Sequence, residues 1–215
     1  MKIIIVGAGI SGCVCAWRLA DAGHDVVLLE KGRGVGGRMA TRRMKDARID
    51  HGAQFFTARD PRMLEILRKW ESAKYVVPWY DRISGREDLT PRVRFRGVDG
   101  MTAPVKGLAQ SFCFKKEFFV DSIYFDEEWQ INERGGENRR IFADHLVLTL
   151  PVPQILELFE RSQFELESKI MDQLSTVTYT QCLALLGILD RPSVLSSPGT
   201  LTHPIPEIDW ISDNQ

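Results

Sequence analysis

The chain has 215 residues, of which 44% are hydrophobic and 27% are charged, and its formal net charge at pH 7 is −1. This composition is typical of a globular protein with one large domain or two small ones. A net charge so close to zero does not draw the whole protein toward nucleic acid or an anionic membrane, so we expect neither as a partner.

The first thirty residues have the pattern of a dinucleotide-binding unit. Residues 3–6 are apolar throughout, which is typical of a central parallel strand that is buried on both faces. Gly7, Gly9 and Gly12 follow as G-x-G-x-x-G, and small or apolar residues then recur at helical spacing. A second apolar strand, VVLL, ends at Glu30. A glycine motif alone is a weak signal, but this order of strand, glycines, helix, strand and acid predicts a pyrophosphate site.

Each part of this pattern has a physical role in such a site. Gly7 permits the tight turn, Gly9 lets a pyrophosphate approach the backbone, and Gly12 lets the helix pack against the strands. The first helical turn offers free N–H groups to phosphate, and Glu30 can accept hydrogen bonds from ribose hydroxyls. The cofactor contacts predicted here are Gly7, Gly9, Ile10, Ser11, Gly12 and Glu30.

The stretch KGRGVGGRMATRR, residues 31–43, combines glycines with basic residues directly after the second strand. It could be a nucleic-acid-binding tail or a folded loop around a phosphate. Its place between two ordered-looking segments favours the phosphate loop. Gly36 and Gly37 allow close approach, Arg38 helps to neutralise a pyrophosphate, and Lys31 or Arg33 lies toward the ribose. We interpret the two arginines at the end of the stretch, Arg42 and Arg43, as solvated surface.

Further elements are predicted along the chain. DPRMLEILRKWESA predicts an amphipathic helix with Asp60 as its N-cap and Pro61 in its first turn. A short helical segment lies between Gly100 and Gly107, and EEWQINERGGENRRIFADH predicts a hairpin that turns at Gly135 and Gly136. Three more segments come after it in chain order: a buried strand over residues 146–150 that ends at Pro151, a helix over PVPQILELFERS, and a strand over TYTQCLALLGIL.

The four cysteines fit no zinc or redox spacing, so we expect no bound metal. Cys13 and Cys15 lie in the small-residue helix, where buried packing is the expected role. The amino-terminal apolar run is too short for a signal peptide or a membrane span, which favours a cytoplasmic protein.

Several of these motifs together identify a family resemblance. GAGISG, LLEKGRGVGGRMAT and DHGAQFFT resemble the FAD-dependent amine oxidase superfamily, in which the glycine fingerprint and an acid precede an R-x-G-G-R loop. DHGAQFFTARD, GMTAPVKGLA, LVLTLPVPQ and WISDNQ resemble its renalase-like branch. The resemblance extends along essentially the whole chain.

The resemblance implies a fold and a domain division. The fold is α/β, with an FAD/NAD(P)-binding Rossmann-like domain (a doubly wound parallel sheet) and an interleaved α+β substrate lobe. The cofactor domain would comprise residues 1–73 and 98–152, and the substrate lobe residues 74–97 and 153–215. Family members continue beyond the point where this chain ends, at DWISDNQ, so we expect an incomplete lobe that lacks a flavin-binding segment.

The resemblance also assigns residues to FAD. The Gly36–Gly37 pair, Arg38, the glycine fingerprint and Glu30 would hold the ADP half, with Lys31 beside them. Towards the flavin, the implied contacts are Met39, Ala40, Thr41, Asp50, Gly52, Ala53, Gln54 and Phe55. Val120 would face the adenine edge, and Thr149 and Pro151 would lie near the pyrophosphate. His51 and Gln54 are the polar candidates for a catalytic role, although a structural role for His51 is equally compatible with the sequence. Trp79, Tyr80, Tyr179 and Trp210 could line a pocket or belong to the core.

The implied function is an FAD-dependent oxidoreductase of the renalase-like kind. Hydride would pass to the flavin from a reduced small-molecule substrate, such as an isomeric dihydronicotinamide nucleotide, and O₂ would reoxidise the flavin and yield H₂O₂. An amine oxidase, or a non-catalytic FAD- or ADP-binding remnant, is the alternative. A plain NAD-dependent dehydrogenase is less favoured because it does not need the Arg/Gly loop. The sequence predicts neither the substrate nor the oligomeric state.

Overall fold

A computed structural model describes residues 1–82, 90–110, 112–135 and 139–213 of the chain. The chain divides into two compact units, each made of two segments. The first unit comprises Met1–Gly37 and Leu108–Leu183, and the second comprises Arg38–Gly107 and Ala184–Gln215. These boundaries differ from those of the predicted cofactor domain and substrate lobe, which were assigned by ligand rather than by compactness. That functional division stays a prediction.

The helices and strands have the following bounds. The strands are β1 Lys2–Val6, β2 Asp25–Leu29, β3 Thr41–Met44, β4 Ala47–Asp50, β5 Val76–Tyr80, β6 Arg94–Gly97, β7 Cys113–Lys115, β8 Val120–Asp126, β9 Glu128–Glu133, β10 Arg140–Ala143, β11 His145–Leu148, β12 Thr200–Ile205 and β13 Ile208–Ser212. The α-helices are α1 Ile10–Asp21, α2 Pro61–Ser72, α3 Thr102–Leu108, α4 Val152–Ser162 and α5 Ser168–Ser175, and a single 3₁₀ turn covers Gly37–Met39.

A four-stranded parallel sheet forms the centre of the first unit, in the order β11-β1-β2-β7. β1 lies between β11 and β2, and its Ile4 and Ile5 side chains, which point to opposite faces of the sheet, are both fully buried. The continuous apolar run of β1 therefore has the two-sided burial that the sequence predicted. β11 ends at Leu148, two residues before the end of the predicted strand, because the chain turns there toward α4.

A three-stranded antiparallel sheet, β10-β9-β8, belongs to the same unit and confirms the predicted hairpin of β9 and β10. Gly135 takes a positive φ of 71° in its turn, while Gly136 lies outside the described residues. One apolar core joins this sheet to β1, β2 and α4, and its members are Ile4, Val6, Val27, Leu29, Phe118, Val120, Ile123, Ile131, Ala143, Leu158 and Phe159.

Among the described residues, the second unit contains three hairpins and two helices. The hairpins are β3–β4, β5–β6 and β12–β13, all antiparallel. α2 begins as the sequence predicts, since the Asp60 side chain accepts a hydrogen bond from the backbone N–H of Arg62 and Pro61 occupies the first turn. Its buried face presents Ile66, Leu67 and Trp70. The short helix α3 confirms the predicted helical segment between the two glycines.

The predicted strand over TYTQCLALLGIL is wrong for this structure. Residues 178–189 have no regular secondary structure, and Leu183 and Leu185 are 98% and 99% exposed. A strand requires a neighbour that completes its backbone hydrogen bonds. None of the strands in the described part of the chain pairs with this segment.

Candidate dinucleotide site

The turn after β1 is built around two glycines that no other residue could replace without displacing neighbours. Gly7 has a φ of +104°, and its N–H donates to the Leu29 carbonyl at 2.8 Å. A Cβ atom on Gly12 would lie 2.0 Å from the carbonyl oxygen of Gly7, so α1 approaches the strand end as closely as the backbones allow. The turn and the helix–strand packing expected of these two glycines are therefore both present.

Gly9 differs from both, since a Cβ atom placed on it would meet nothing within 4 Å. It is the N-cap of α1, with φ −71° and ψ 177°, and it provides no side chain to cap the helix. The first helix bond runs from the N–H of Cys13 to the Gly9 carbonyl, so the N–H groups of Ile10, Ser11 and Gly12 precede the helical ladder. Together with the helix dipole, these groups favour an anion at the open face of Gly9.

The second glycine loop packs on the first. The N–H of Gly36 donates to the Ala8 carbonyl at 2.8 Å, and a short bridge pairs Gly36 with Gly9. A Cβ atom on Gly37 would lie 3.1 Å from the Cα atom of Gly9, and its φ is +54°. The two glycine motifs, nearly thirty residues apart in sequence, thus form one backbone surface in the first unit.

The Glu30 carboxylate joins the two glycine loops by hydrogen bonds. One carboxylate oxygen accepts a hydrogen bond from the N–H of Ala8 at 2.9 Å, and the other accepts from the N–H of Gly32 at 2.8 Å. The carboxylate predicted to bind ribose therefore also joins the first glycine turn to the start of the second loop. Each oxygen of a carboxylate has two acceptor positions, so these bonds leave capacity for ribose hydroxyls.

Thr149 closes the same turn from the carboxyl end of β11. Its hydroxyl lies 3.0 Å from the Val6 carbonyl and 2.9 Å from the Gly7 carbonyl, to either of which it can donate. A Cβ atom on Gly7 or on Gly12 would lie 2.8 Å from this hydroxyl. Pro151, two residues later, is the N-cap of α4. Of the two residues predicted near the pyrophosphate, Thr149 therefore contacts the glycine turn directly.

Val120 is buried at the start of β8 and belongs to the core of the first unit. Just before it, the N–H of Phe118 donates to the Glu30 carbonyl at 2.9 Å. The segment that carries Val120 thus runs beside the acid at the end of β2.

The basic residues of the second loop are mostly solvated. Lys31 donates to the side-chain oxygen of Gln154 at 3.3 Å, and Arg33 and Arg38 are exposed. Arg42 and Arg43 are also exposed, on β3, in agreement with their interpretation as surface.

In the second unit, the segments predicted to run along the flavin are held against each other. The N–H of Ala53 donates to the Arg38 carbonyl at 2.9 Å, and a Cβ atom on Gly52 would lie 2.1 Å from the same oxygen. Asp50 and Thr41 are hydrogen-bonded side chain to side chain at 2.5 Å. Met39 and Ala40 lie between Arg38 and Thr41, the two residues of this segment that make these bonds.

The two candidate catalytic residues have different surroundings. His51 is exposed. Gln54 is engaged at both ends of its amide: its nitrogen donates to the Asp50 carbonyl at 2.6 Å, and its oxygen accepts from the Ser212 hydroxyl at 2.7 Å. This arrangement favours a role for Gln54 in holding the turn.

Three of the four aromatic candidates lie in an aromatic cluster of the second unit. Phe55 packs against Trp210 with ring centroids 5.7 Å apart and against Tyr80 at 6.1 Å, and Tyr80 contacts Trp79 at 4.9 Å. The Arg94 guanidinium lies over the rings of Phe55 and Tyr80. Tyr179 belongs to the first unit, where its hydroxyl accepts a long hydrogen bond from the N–H of Val152 at 3.4 Å.

Sequence reasoning missed two polar residues that support these segments, Thr102 and Ser212. Both bond to predicted site residues that are distant in sequence, Thr102 to Thr41 and Ser212 to Gln54. Neither stands in a motif that signals such a bond, so local pattern did not predict them.

Burial at this site raises the pKa of the Cys13 thiol to about 12, and the negative charge of Glu30 contributes to the rise. Cys13 is fully buried in α1, which confirms a packing role. Within the ranges that the structure describes, no three or more His, Cys, Asp or Glu side chains gather as a metal site would require. None of the described helices combines the length and the apolar character needed to cross a membrane.

Comparisons with known proteins agree with this geometry. Residues 5–70 match the family model of an NAD(P)-binding Rossmann-like domain. The chain is 26% identical over 201 residues to renalase from Mus musculus, covering 86% of this chain and 57% of that protein. It is also 37% identical over 70 residues to an L-amino-acid oxidase from Crotalus adamanteus, covering 33% of this chain and 14% of that protein.

A solved structure from Exiguobacterium, described as a putative protoporphyrinogen oxidase, has the same fold. It superposes with a TM-score of 0.61 at 13% identity and covers 82% of this chain and 64% of its own. The chain spans little more than half the length of the renalase it matches.

These findings confirm the resemblance and the α/β fold class. Over residues 5–70 the chain is thus similar to NAD(P)-binding Rossmann-like domains, in agreement with the glycine turn and the parallel sheet of the first unit.

Proposed function

We propose that the first unit binds the ADP half of FAD and that the protein is a flavin-dependent oxidoreductase acting on a reduced small molecule. The observation that carries this proposal is the joined backbone surface of Gly7–Gly9 and Gly36–Gly37, which has open space at Gly9 and the Glu30 carboxylate behind it. Such a surface suits a pyrophosphate with a ribose beside it.

The residues present fit this cofactor. The N–H groups at the start of α1 would bind pyrophosphate oxygens, because they precede the helical ladder and Gly9 leaves their approach open. Glu30 would accept hydrogen bonds from ribose hydroxyls while it keeps the two loops joined. Val120 would flank adenine, and Arg38, directly after Gly37 in the chain, would add positive charge.

The flavin supplies the redox chemistry when it is bound, since it accepts hydride from a substrate and passes electrons to O₂. The second unit would contribute residues 39–41 and 51–55, whose geometry is fixed by hydrogen bonds that include those of Asp50 and Ala53. In its aromatic cluster, the Arg94 guanidinium lies over the rings of Phe55 and Tyr80. Aromatic rings and a guanidinium group would together bind a planar, anionic substrate such as a nicotinamide nucleotide. His51 is an exposed polar side chain that could hold or move a proton.

A second candidate is an FAD- or ADP-binding protein without turnover. It is favoured by the apolar segment 178–189, which has no regular secondary structure and leaves Leu183 and Leu185 almost fully exposed. The two candidates share the dinucleotide site, and they differ in whether the bound flavin is reduced by a substrate.

The test is to incubate the purified chain with FAD, remove free FAD and record the visible spectrum. Retained absorbance at roughly 450 nm supports flavin binding. Anaerobic addition of NADH, of its isomeric dihydronicotinamides and of an amine then distinguishes the candidates. Bleaching by a dihydronicotinamide supports the oxidoreductase proposed here, bleaching by the amine alone favours an amine oxidase, and a bound flavin that none of them reduces supports the binding-only candidate.

A further inference from the structure

Asp50 is a carboxylate that is only 9% exposed, at the end of β4. A single oxygen, Oδ1, accepts two hydrogen bonds, from the Thr41 hydroxyl at 2.5 Å and from the backbone N–H of Met101 at 2.9 Å. A buried carboxylate is costly unless it is bonded in this way. The bonds join β3, β4 and the segment that leads into α3.

Thr102 extends the same network to the loop before β3. The N–H of Thr41 donates to the Thr102 hydroxyl at 2.6 Å, and the N–H of Thr102 donates back to the Thr41 hydroxyl at 3.1 Å. The Thr102 hydroxyl can also reach the Met39 carbonyl, at 3.3 Å. Residues 39–41 are therefore held at their backbone and at one side chain.

The turn after Asp50 is held from the other side. The Asp50 carbonyl accepts from the Gln54 amide at 2.6 Å, and the Ala53 N–H donates to the Arg38 carbonyl at 2.9 Å. Two segments expected to run along the cofactor, 38–41 and 51–54, thus meet at one residue whose carboxylate points into the protein.

We infer that Asp50 is a positioning residue: its Oδ1 atom sets the geometry of segments 38–41 and 51–54 for cofactor binding, and its charge does not contact the cofactor. The part of this inference that concerns FAD binding rests on the proposed function. It replaces the role in direct contact that the family resemblance implied for Asp50. Thr41 and Thr102 help to position the same segments through their hydrogen bonds.

Two pairs of variants test it. Asp50→Asn keeps an oxygen at Oδ1 and removes the charge, whereas Asp50→Ala removes both. Thr41→Ser keeps the hydroxyl, whereas Thr41→Val removes it at nearly constant volume. We expect Asp50→Asn and Thr41→Ser to bind FAD within about threefold of the wild type, and Asp50→Ala and Thr41→Val to bind it about tenfold more weakly or worse. Loss of affinity in Asp50→Asn equal to that in Asp50→Ala would overturn the inference, because it would mean that the charge itself contacts the cofactor.

Hydrogen exchange without FAD separates this inference from the proposed function. In the apoprotein we expect the amides of residues 38–41 and 52–54 to exchange faster in Asp50→Ala and Thr41→Val than in the wild type, with both conservative variants close to wild type. Unchanged exchange in the two deletion variants would refute the positioning role even if FAD binds. If the deletion variants exchange faster but the wild-type chain does not bind FAD, the proposed function is refuted, while Asp50 is still shown to fix the geometry of the two segments.

Discussion

Gly9 and Gly12 lie three residues apart in the fingerprint, yet there is room for a side chain at Gly9 and none at Gly12. At Gly12 a methyl group would overlap the Gly7 carbonyl oxygen at 2.0 Å, whereas at Gly9 it would meet no protein atom within 4 Å. The protein itself requires glycine at position 12 but not at position 9. The open space at Gly9 is what the proposed approach of a pyrophosphate to the backbone requires.

This contrast predicts different outcomes for two matched variants. Gly12→Ala should lose roughly 3 kcal/mol of unfolding free energy or more, because the overlap forces α1 away from β1. Gly9→Ala should change it by no more than about 1 kcal/mol, the scale of an N-cap substitution, and should weaken FAD binding at least about tenfold. Denaturant unfolding of both apoproteins and an FAD titration of Gly9→Ala check this. Unchanged FAD affinity in Gly9→Ala would remove Gly9 from the site.

Cys13 gives a second residue-scale prediction. With its pKa raised to about 12, it should be thiolate in only about one molecule in ten thousand near pH 8. A disulfide reagent should therefore modify the exposed Cys113 and Cys182 rapidly and leave Cys13 unmodified until the protein unfolds. Peptide mapping after brief labelling identifies the sites, and rapid labelling of Cys13 in the native protein would contradict the buried packing of α1.

At the scale of elements, sequence reasoning succeeded where local chemistry decides the outcome. The uninterrupted apolar run of β1, the Asp60 cap of α2 and the glycine turn of the β9–β10 hairpin each have a cause within a few residues. It failed for residues 178–189, since strand formation depends on a partner that local pattern cannot supply. The β5–β6 and β12–β13 hairpins were not predicted. The sequence did carry a signal for β6, since VRFRG, residues 93–97, alternates apolar and basic residues as a half-buried strand does.

The same distinction applies to the candidate site. The glycines and Glu30 could be predicted because their roles follow from strand and helix ends. The bonds of Asp50 to Met101 and of Gln54 to Ser212 join residues 51 and 158 positions apart, and nothing in the local sequence signals them.

The Asp60 cap predicts a pH dependence. Hydrogen bonds from the side chain and backbone of Arg62 lower the pKa of Asp60 to about 2, below the value of about 4 in an unfolded chain. A lowered folded-state pKa adds stability above the unfolded value and loses it as pH falls toward the folded value. Asp60→Ala should therefore lower the melting temperature at neutral pH, and this difference from wild type should shrink between about pH 4 and pH 2.

Asp60→Asn is the control for this effect, because asparagine also caps helices and should preserve part of the stability without the titration. A difference between wild type and Asp60→Ala that stays constant down to about pH 2 would show that the ionised carboxylate does not support α2.

At the scale of the whole molecule, the chain consists of two compact units, each formed from two segments. The first carries the joined glycine surface, and the second carries the segments fixed by Asp50 together with the aromatic cluster. The boundary between Gly37 and Arg38 falls inside the glycine-rich loop itself, so a single stretch of sequence contributes to both.

A later boundary between the units, at Leu183 and Ala184, lies in segment 178–189, which has no regular secondary structure. Limited chymotrypsin digestion should therefore cut first in this segment, after Tyr179, Leu183 or Leu185, because its backbone lacks regular hydrogen bonding and two of its leucines are almost fully exposed. Mass spectrometry of the first fragments reads this out. First cuts within β1 or α1 would contradict the burial of these two elements in the first unit.

The most direct test of the central claim, that the first unit holds the ADP half of a dinucleotide, is a calorimetric titration of the chain with FAD, ADP and FMN. FMN has the flavin of FAD but not its adenosine. We predict that FAD binds, that excess ADP displaces it, and that FMN binds at least about tenfold more weakly than FAD. FMN binding as tight as FAD, with no displacement by ADP, would contradict the claim.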